Sequence, residues 1–568
     1  MEARAYGRSR FVDGVYSMEF VQAAPALGNQ YDDDRVLQSY LQRALPHAMH
    51  AAIGGDLAEL GAHAAQAWFE ARERSASEPA LTQWDAWGAR IDRIELTPVW
   101  QRGAAMTARY GLVAAGHDAV YAEYARVDQL ARVYLHHVAS EFYTCPLAMS
   151  DGAASALKAS ANADLIERAL PHLLAREPSE LWLSGQWMTE TAGGSDVGRT
   201  DTLARHDAAG QWRLSGRKWF TSAVVGEMAL TLARPEGASA EGTGALALFY
   251  LETRDADGRW NGIRIDRLKD KLGTRELPTA EIHLDSVPAT PVGALDHGVR
   301  LIAPMLNVTR TWNAVCALAT MRRCLALAFD YARRRDVFGR ALIEQPLHRA
   351  TLAGLQAEFE AAFGLVFFVA ELLGRSERGA ANAGEHALLR ILTPLAKLWT
   401  GRLAVHVASE TCEAFGGAGY IENTGIPQLL RDAQVYPIWE GTTNVLALDT
   451  LRALSAVGMA PLTDAAGALL AEAGDDRHDI RTTFDAASVW LSVQSYDRDA
   501  LEAGARGFAF TLARAFAAAL LARHAAWAEQ HGDTRPRAAL RFLASRGLSR
   551  LAVPAMDAAA TLIDNSAL

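Results

Sequence analysis

Residues 212–222 read WRLSGRKWFTS, and what they build decides the fold. The run reads as a β-strand, and three more follow: ALALFYLE at 245–252, GIRIDRL at 262–268 and TAEIHLDSV at 279–287. Turn-forming Gly, Asp and Asn separate them, the pattern of a small antiparallel β domain. On both sides apolar residues instead recur at three and four, the signature of helices. Val36–Leu45 and Val120–Tyr143 come before; VCALATMRRCLALAFDYARRR (315–335) and TLAGLQAEFEAAFGLVFFVAELLG (351–374) come after. Helix, then sheet, then helix is not the βαβ alternation of a nucleotide-binding Rossmann domain. The expected class is α+β and mostly helical. An N-terminal α domain covers 1–180, a β-barrel-like antiparallel domain 181–292 and a helical bundle 293–455. GMAPLTDAAG and EAGDDRHD suggest a linker near 455–480, leading into a helical C-terminal extension within 456–568.

Composition sets outer limits. Half of the 568 residues are hydrophobic and 21% are charged, enough to bury a sizeable core. The apolar run Phe363–Ala370 is too short to span a bilayer. MEARAYGRSRF, at the start, precedes no apolar stretch, so no secretory signal is expected. Cys145, Cys316, Cys324 and Cys412 form no CxxC pair and no zinc spacing, as for reduced thiols in a cytoplasmic protein without a structural metal. A net charge of −10 argues against wholesale nucleic-acid binding but leaves room for a local basic patch. Of 56 basic residues only five are lysine: Lys158, Lys218, Lys269, Lys271 and Lys397. Such a bias resembles genome composition, so arginine richness carries little functional weight.

Motifs of the common enzyme classes fail. There is no GxGxxG after a strand, no GxxxxGK[ST] and no HExxH, and the GxSxG reading around Ser195 ends in Val197. Five other stretches carry chemistry. In MTETAGGSDV (188–197), small residues allow close backbone approach while Thr189 and Ser195 offer hydroxyls; a hairpin or capped helix start is the plainer reading. In GRKWFTS (216–222), strict alternation would send Trp219 and Thr221 to one side, an aromatic slab beside a hydroxyl; a core aromatic is the plainer reading. Gly273, in KDKLGTRELPTAEIHLDSV (269–287), is assigned to the scaffold. RRDVFGRALIEQP (334–346) breaks a long helix at Gly339, with Arg335 placed to hold a phosphate or to cap the helix. Last, EAFGGAGYIENTGIPQLLRDAQVYPIWEGTTNV (413–445) puts Glu440 at the mouth of a new helix, after the bulky run Tyr436–Trp439. A carboxylate there is either neutralised by a partner or put to use.

Taken together and in this order, the stretches resemble the acyl-CoA dehydrogenase family, whose members bind FAD. MTExxxGSD, KWFTS, KLGTR, the Arg335-x-x-Phe338-Gly339 run, GGxGY and IWEGT carry the likeness. The resemblance implies that Met188, Thr189 and Ser195 line the flavin and its phosphates, and that Trp219, Thr221 and Ser222 lie against its ring. It also implies that Arg335, Phe338 and the Gly416–Gly417 turn reach the FAD of a neighbouring subunit. Trp439, Thr442 and Asn444 would complete the cofactor site, with Glu440 as the base and Arg310 as a site-organising cation. An ordinary glutamate, with a pKa near ~4.3, is too weak for that task, so burial should raise it toward neutrality. The thioester oxygen would be polarised by the Glu440 backbone N–H and a flavin ribityl hydroxyl. Some relatives carry the base just before the arginine that Arg310 matches; here that position is Thr309.

Thr191, Pro346 and Glu413 depart from the ordinary pattern, and the chain runs well past 450. These features, with LGNQYDDDRVLQSYL, are similar to the AidB branch, flavoproteins of the adaptive response to alkylation. The resemblance implies an acyl-CoA substrate, electron-transferring flavoprotein as acceptor, and a homotetramer. The alternative it carries is a flavoprotein that binds DNA through its C-terminal extension. Within 511–550, Arg514, Arg523, Arg535, Arg537, Arg541, Arg546 and Arg550 face only Glu529 and Asp533; a solvated helix face or a subunit interface explains them as well.

Overall fold

The computed structural model describes residues 24–73, 77–238, 242–474 and 477–564; the start of the chain, MEARAYGRSRF, lies outside them. The first part is built from α1 (Arg35–Ala44), α2 (His47–Glu73), α3 (Pro98–Tyr110), α4 (Ala125–His137), α5 (Thr144–Ser160) and α6 (Ala163–Leu173). Asp34 caps α1, accepting from the Val36 and Leu37 N–H groups. α4 is buried along its whole length, so its polar side chains need internal partners. Arg126 finds Asp151 on α5 at 2.6 Å and Glu377 at 2.6 Å. Asp151 also accepts from Trp312 at 2.7 Å, which ties this part to the later bundle.

The helical reading of 1–180 misses a hairpin, β1 (Ala80–Trp84) and β2 (Arg90–Glu95). Its partners are distant in sequence, which is why local pattern does not reveal it. Gln83 Nε2 donates to the Ile265 carbonyl at 2.9 Å, and Trp260 Nε1 donates to the Asp92 carbonyl at 3.0 Å.

The middle holds β3 (Ser184–Trp187), β4 (Leu203–His206), β5 (Trp212–Ser222), β6 (Met228–Pro235), β7 (Ala247–Glu252), β8 (Ile263–Leu268) and β9 (Thr279–Pro291). Pairing runs β6-β4-β5-β9-β7, and a β6–β7 pairing closes the path into a ring. The expected antiparallel sheet is corrected to a mixed one, because β3–β6 and β4–β6 run parallel. Alternation within a strand specifies its buried face, not the direction of its neighbour. Leu214, Phe249, Ile265, Ile282 and Val287 fill the ring.

Long helices resume with α7 (Gly298–Leu301), α8 (Ala303–Arg334), α9 (Pro346–Glu377), α10 (Ala383–Ala414), α11 (Ile426–Ala433) and α12 (Thr443–Val457). α8 does not break at Gly339. It ends at Arg334, and Phe338 (φ 49°) with Gly339 (φ 84°) turns the small hairpin β10 (Asp336–Val337) and β11 (Arg340–Ala341). Two successive positive φ values make the tight reversal that short hairpins prefer.

The expected linker is largely helical too. α13 (Ala460–Glu472) starts with Pro461 in its first turn, where a missing N–H costs nothing, and bends 92° from α12. Then come α14 (His478–Gln494), α15 (Arg498–Gln530), α16 (Arg535–Ser545) and α17 (Met556–Ile563). α15 packs on α9 and α12, and buried Arg514 bonds Glu358 of α9 at 2.5 Å. Arg535 pairs with Glu360 at 3.3 Å, Arg523 with Glu472 at 3.8 Å and Arg537 with Glu529 at 3.0 Å. The basic stretch is thus partly spent inside the fold, while Arg541, Arg546 and Arg550 stay exposed. α9 and α15 are long and apolar enough to cross a membrane, yet their most apolar stretches are 78% and 83% buried within the protein.

One buried group makes stability depend on pH. His136 is 2% exposed and neither ring nitrogen has a partner among the described residues. Burial holds its pKa down at about 3, so the folded state resists a proton that the unfolded chain takes up near ~6.5. Stability present above that value is therefore lost as pH falls toward 3. Replacing His136 with Leu should raise stability by about 1–2 kcal/mol at neutral pH and flatten part of the acid decline. Thermal midpoints measured from pH 7 to 4 check this; a less stable variant with an unchanged slope contradicts it.

Candidate active site

The segment that carries Glu440 is anchored before it turns. Tyr436 is 1% exposed, and its hydroxyl lies 2.7 Å from His137 Nε2 and 2.6 Å from Thr320 Oγ1. Gly401 of α10 makes room for it, since a Cβ there would sit 3.0 Å from the Tyr436 carbonyl. Trp439 then meets Phe142 edge to face, with centroids 6.2 Å apart. Next the chain reverses through two left-handed residues, Glu440 at φ 57° and Gly441 at φ 102°. A non-glycine residue in that region costs about 1–3 kcal/mol and persists only where its surroundings hold it. Thr442 is the cap of α12, so Glu440 does stand at the mouth of a new helix.

The reversal turns the Glu440 carboxylate back onto α8. Thr309 Oγ1 donates to its Oε2 at 2.8 Å. Arg310 Nε lies 3.3 Å from the Glu440 carbonyl oxygen, and its guanidinium pairs with Asp449 of α12 at 2.7 Å. Arg310 is therefore both a bundle ion pair and a brace for the turn. Behind it, the ammonium of Lys397, fully buried on α10, donates to the Gly441 carbonyl at 2.5 Å. Burial pushes the Glu440 pKa up, opposed by the Thr309 hydrogen bond and by the charges of Arg310 and Lys397. The Lys397 pKa is lowered to about 7, chiefly by burial. What results is a partly buried carboxylate, oriented by one hydroxyl, whose affinity for a proton exceeds that of an ordinary glutamate.

The β domain supplies a second surface. The Trp219 N–H donates to the Thr189 carbonyl at 3.0 Å, which fixes the Met188–Thr189 segment against β5. Met188 is buried, Thr189 partly buried and Ser195 exposed. Glu190, between them, is structural: it takes the buried Lys218 ammonium at 2.7 Å and the Asp201 N–H at 2.6 Å. Strict alternation across KWFTS does not hold, because β5 bulges between Lys218 and Thr221. The extra residue puts Lys218 and Thr221 both inward and leaves Trp219 partly and Phe220 largely exposed. Lys269 Nζ lies 3.4 Å from the Trp219 ring centroid. Thr221 Oγ1 is buried with no partner among the described residues, while Ser222 Oγ reaches Thr279 Oγ1 at 3.4 Å.

The remaining residues expected at a cofactor divide into two places. Trp439, Thr442 and Asn444 flank Glu440; Thr442 and Asn444 are exposed, and Arg506 approaches Asn444 at 3.4 Å. Arg335, Phe338, Gly416 and Gly417 gather at the far end of α8, where Tyr331 stacks on Phe415 at 4.3 Å. Phe338 is 98% exposed. Thr309 and Arg335 lie at opposite ends of α8, about 40 Å apart at a rise of about 1.5 Å per residue. No single bound dinucleotide bridges that span within one chain. Sequence reasoning passed over Lys397 and treated Thr309 only as the absence of a rival base; the rarity of lysine was the signal that could have singled out Lys397.

The model of the adaptive response protein AidB N-terminal domain matches residues 22–178, and those of the acyl-CoA dehydrogenase middle and C-terminal domains match 185–287 and 296–455. A model described as acyl-CoA dehydrogenase 11 C-terminal domain-like matches 475–566. The chain is 40% identical to acyl-CoA dehydrogenase family member 11 of Caenorhabditis elegans, covering 89% of this chain and 86% of that protein. It is 34% identical to AidB of Escherichia coli, over 68% of this chain and 70% of that protein. Among solved structures, Caenorhabditis elegans ACDH-11 in complex with C11-CoA superposes with a TM-score of 0.91 at 36% identity, covering 100% of this chain and 99% of that one.

Gly273 docks the β domain onto the helix before the Glu440 segment. A Cβ there would lie 2.5 Å from the Arg431 carbonyl, and the neighbouring Thr274 N–H donates to Asp432 at 2.6 Å. Main chain on both sides cannot give way, so Gly273→Ala should cost about 1–3 kcal/mol. Chemical denaturation is the check, and a variant as stable as the parent would show that the two domains do not press together here.

Proposed function

The chain belongs to the acyl-CoA dehydrogenase family, in its AidB-like branch, and from that premise we propose that it dehydrogenates an acyl-CoA thioester at Cα–Cβ with Glu440 as the base. The observation that carries this reading is the Glu440 turn itself: a partly buried carboxylate whose pKa burial raises, pinned by Thr309 and held in a left-handed conformation. Strain of that kind persists where a side chain must point in one direction. The related C11-CoA complex supports a fatty thioester as the substrate class.

The residues present fit a flavin. Thr221 offers a buried hydroxyl lacking a partner among the described residues, next to the partly exposed Trp219 ring. Gly416 and Gly417 leave open space at their Cα atoms, as a backbone that approaches a ligand does. Met188, Thr189, Ser195, Trp219, Thr221 and Ser222 would hold the cofactor from the β side, with Trp439, Thr442 and Asn444 from the Glu440 side. When bound, FAD supplies an acceptor for the hydride that leaves Cβ.

The chain's own residues do the rest. Glu440 takes the α-proton onto its carboxylate, and its raised pKa makes it a better base than an exposed glutamate. The Thr309 hydroxyl orients that carboxylate, while Arg310 and Asp449 keep the turn from swinging away. The Glu440 backbone N–H is offered to the thioester oxygen, whose developing charge it would stabilise.

A homotetramer is part of the proposal. The exposed Phe338 and the Gly416–Gly417 turn sit too far from Glu440 to share its ligand, which supports their serving the FAD of a neighbouring subunit. Electrons would then pass to an electron-transferring flavoprotein. DNA binding by the extension would rest on Arg541, Arg546 and Arg550, and the ion pairs of Arg514, Arg523, Arg535 and Arg537 leave it the less supported reading.

Glu440→Gln keeps the shape and removes the base. Anaerobic mixing with acyl-CoA should show flavin reduction slowed by about 10²–10⁴-fold. In the parent, the rate should fall as pH drops below the raised Glu440 pKa, because only the ionised form accepts a proton. Reduction at the parental rate in the Gln variant would remove Glu440 from the mechanism.

A further inference from the structure

Each lysine in this chain demands an explanation, because arginine supplies nearly all the positive charge. Five of 56 basic residues are lysine. Two of them, Lys218 and Lys397, are fully buried, where a compact ammonium is more easily housed than a planar guanidinium with five donors. Lys218 is fully buried between Glu190 at 2.7 Å and the Leu232 carbonyl at 3.0 Å. Lys271 donates to the Leu277 carbonyl at 2.7 Å, Lys269 lies over the Trp219 ring at 3.4 Å, and Lys158 meets His117 Nδ1 at 2.9 Å. Lys397 is the one behind the base.

We propose that Lys397 is a positioning residue for Glu440, its ammonium clamping the Glu440–Gly441 reversal through the Gly441 carbonyl and setting the charge of the carboxylate. The inference rests on Glu440 being the base, and goes beyond it by naming what holds that base and tunes it. The clamp is geometric. Lys397 Nζ donates at 2.5 Å to the carbonyl of a residue at φ 102°, directly after a glutamate at φ 57°. Release of that carbonyl frees the turn that aims Glu440.

The charge argument follows from the neighbours on every side. From α8 come Thr309 and Arg310; from α12 comes Asp449; from α10 comes Lys397; and from α5 comes the Cys145 thiol, whose pKa burial and the Glu440 charge push up, so that it stays neutral. Arg310 is matched by Asp449 at 2.7 Å, so much of its charge is spent there. Lys397 has no carboxylate within ion-pair distance among the described residues, and Glu440 is the acid that most favours its charged form. With its pKa lowered to about 7, Lys397 gains and loses its proton in the range where the base must work. Protonated, it favours the Glu440 carboxylate; neutral, it lets the Glu440 pKa rise.

Three proteins test this: the parent, Lys397→Met and Glu440→Gln, each as the full flavin-loaded chain. Two readouts are taken, the pH profile of flavin reduction and the infrared band of the protonated Glu440 carboxyl, identified by its loss in Glu440→Gln. Lys397→Met should move the acid limb and the infrared midpoint upward by at least about one pH unit, since a missing cation favours the neutral acid. Parental values for both overturn the proposal. If Lys397→Met fails to fold, Lys397→Gln takes its place, keeping an N–H donor but not the charge: the same upward move of the acid limb and midpoint is expected, and parental values overturn the proposal. Persistent reduction in Glu440→Gln would instead sink the reading of Glu440 as base, an outcome distinct from either Lys397 result.

Discussion

The constraint on which the proposed chemistry depends is a single backbone reversal that holds and aims one partly buried carboxylate. Glu440 occupies a left-handed backbone conformation that a free chain avoids, so the surrounding structure must over-determine it. Three long helices share that task. α8 contributes Thr309 and Arg310, α10 contributes Lys397 and the clearance at Gly401, and α12 begins at the turn and returns Asp449 to Arg310. Upstream, Tyr436 is locked by His137 and Thr320, so the segment enters the reversal from a fixed point. Removal of any one of these contacts leaves a carboxylate that can relax toward water, where it is an ordinary weak base.

The β domain and the extension serve the same end by different means. β5 carries both Trp219 and the Thr221 hydroxyl, which has no partner among the described residues, and its bulge turns Thr221 inward. Gly273 lets the sheet press on the helix that precedes Tyr436. The extension packs α15 against α9 and α12 and buries an Arg514–Glu358 pair. It thereby backs the helix that starts at the Glu440 turn.

How much of this was legible beforehand depended on the range of the interactions. Helix, sheet, helix followed from periodicity, and the family followed from motifs that local chemistry makes recognisable, such as IWEGT and KWFTS. Hairpin 80–95 was missed because it is held by Ile265, Asp266 and Trp260, far along the chain. Strand direction was missed because alternation carries no information about a neighbour's direction, and β6 has parallel partners. The supposed linker hid α13, since proline and glycine read as breakers although Pro461 sits where a helix tolerates it. In the site, the bulky approach marked Glu440 as a carboxylate either neutralised or put to use, and only the resemblance gave it the role of base. Thr309 and Lys397 were not, because their roles come from helices that meet only in three dimensions.

The central claim is that the purified protein carries a flavin that an acyl-CoA reduces through Glu440. Anaerobic titration of the flavin-loaded protein with acyl-CoAs of increasing chain length, followed by visible absorbance, tests it most directly. The account predicts bleaching of the flavin by at least one member of the series. An oxidised spectrum that no acyl-CoA changes, in protein with its full complement of flavin, would contradict it.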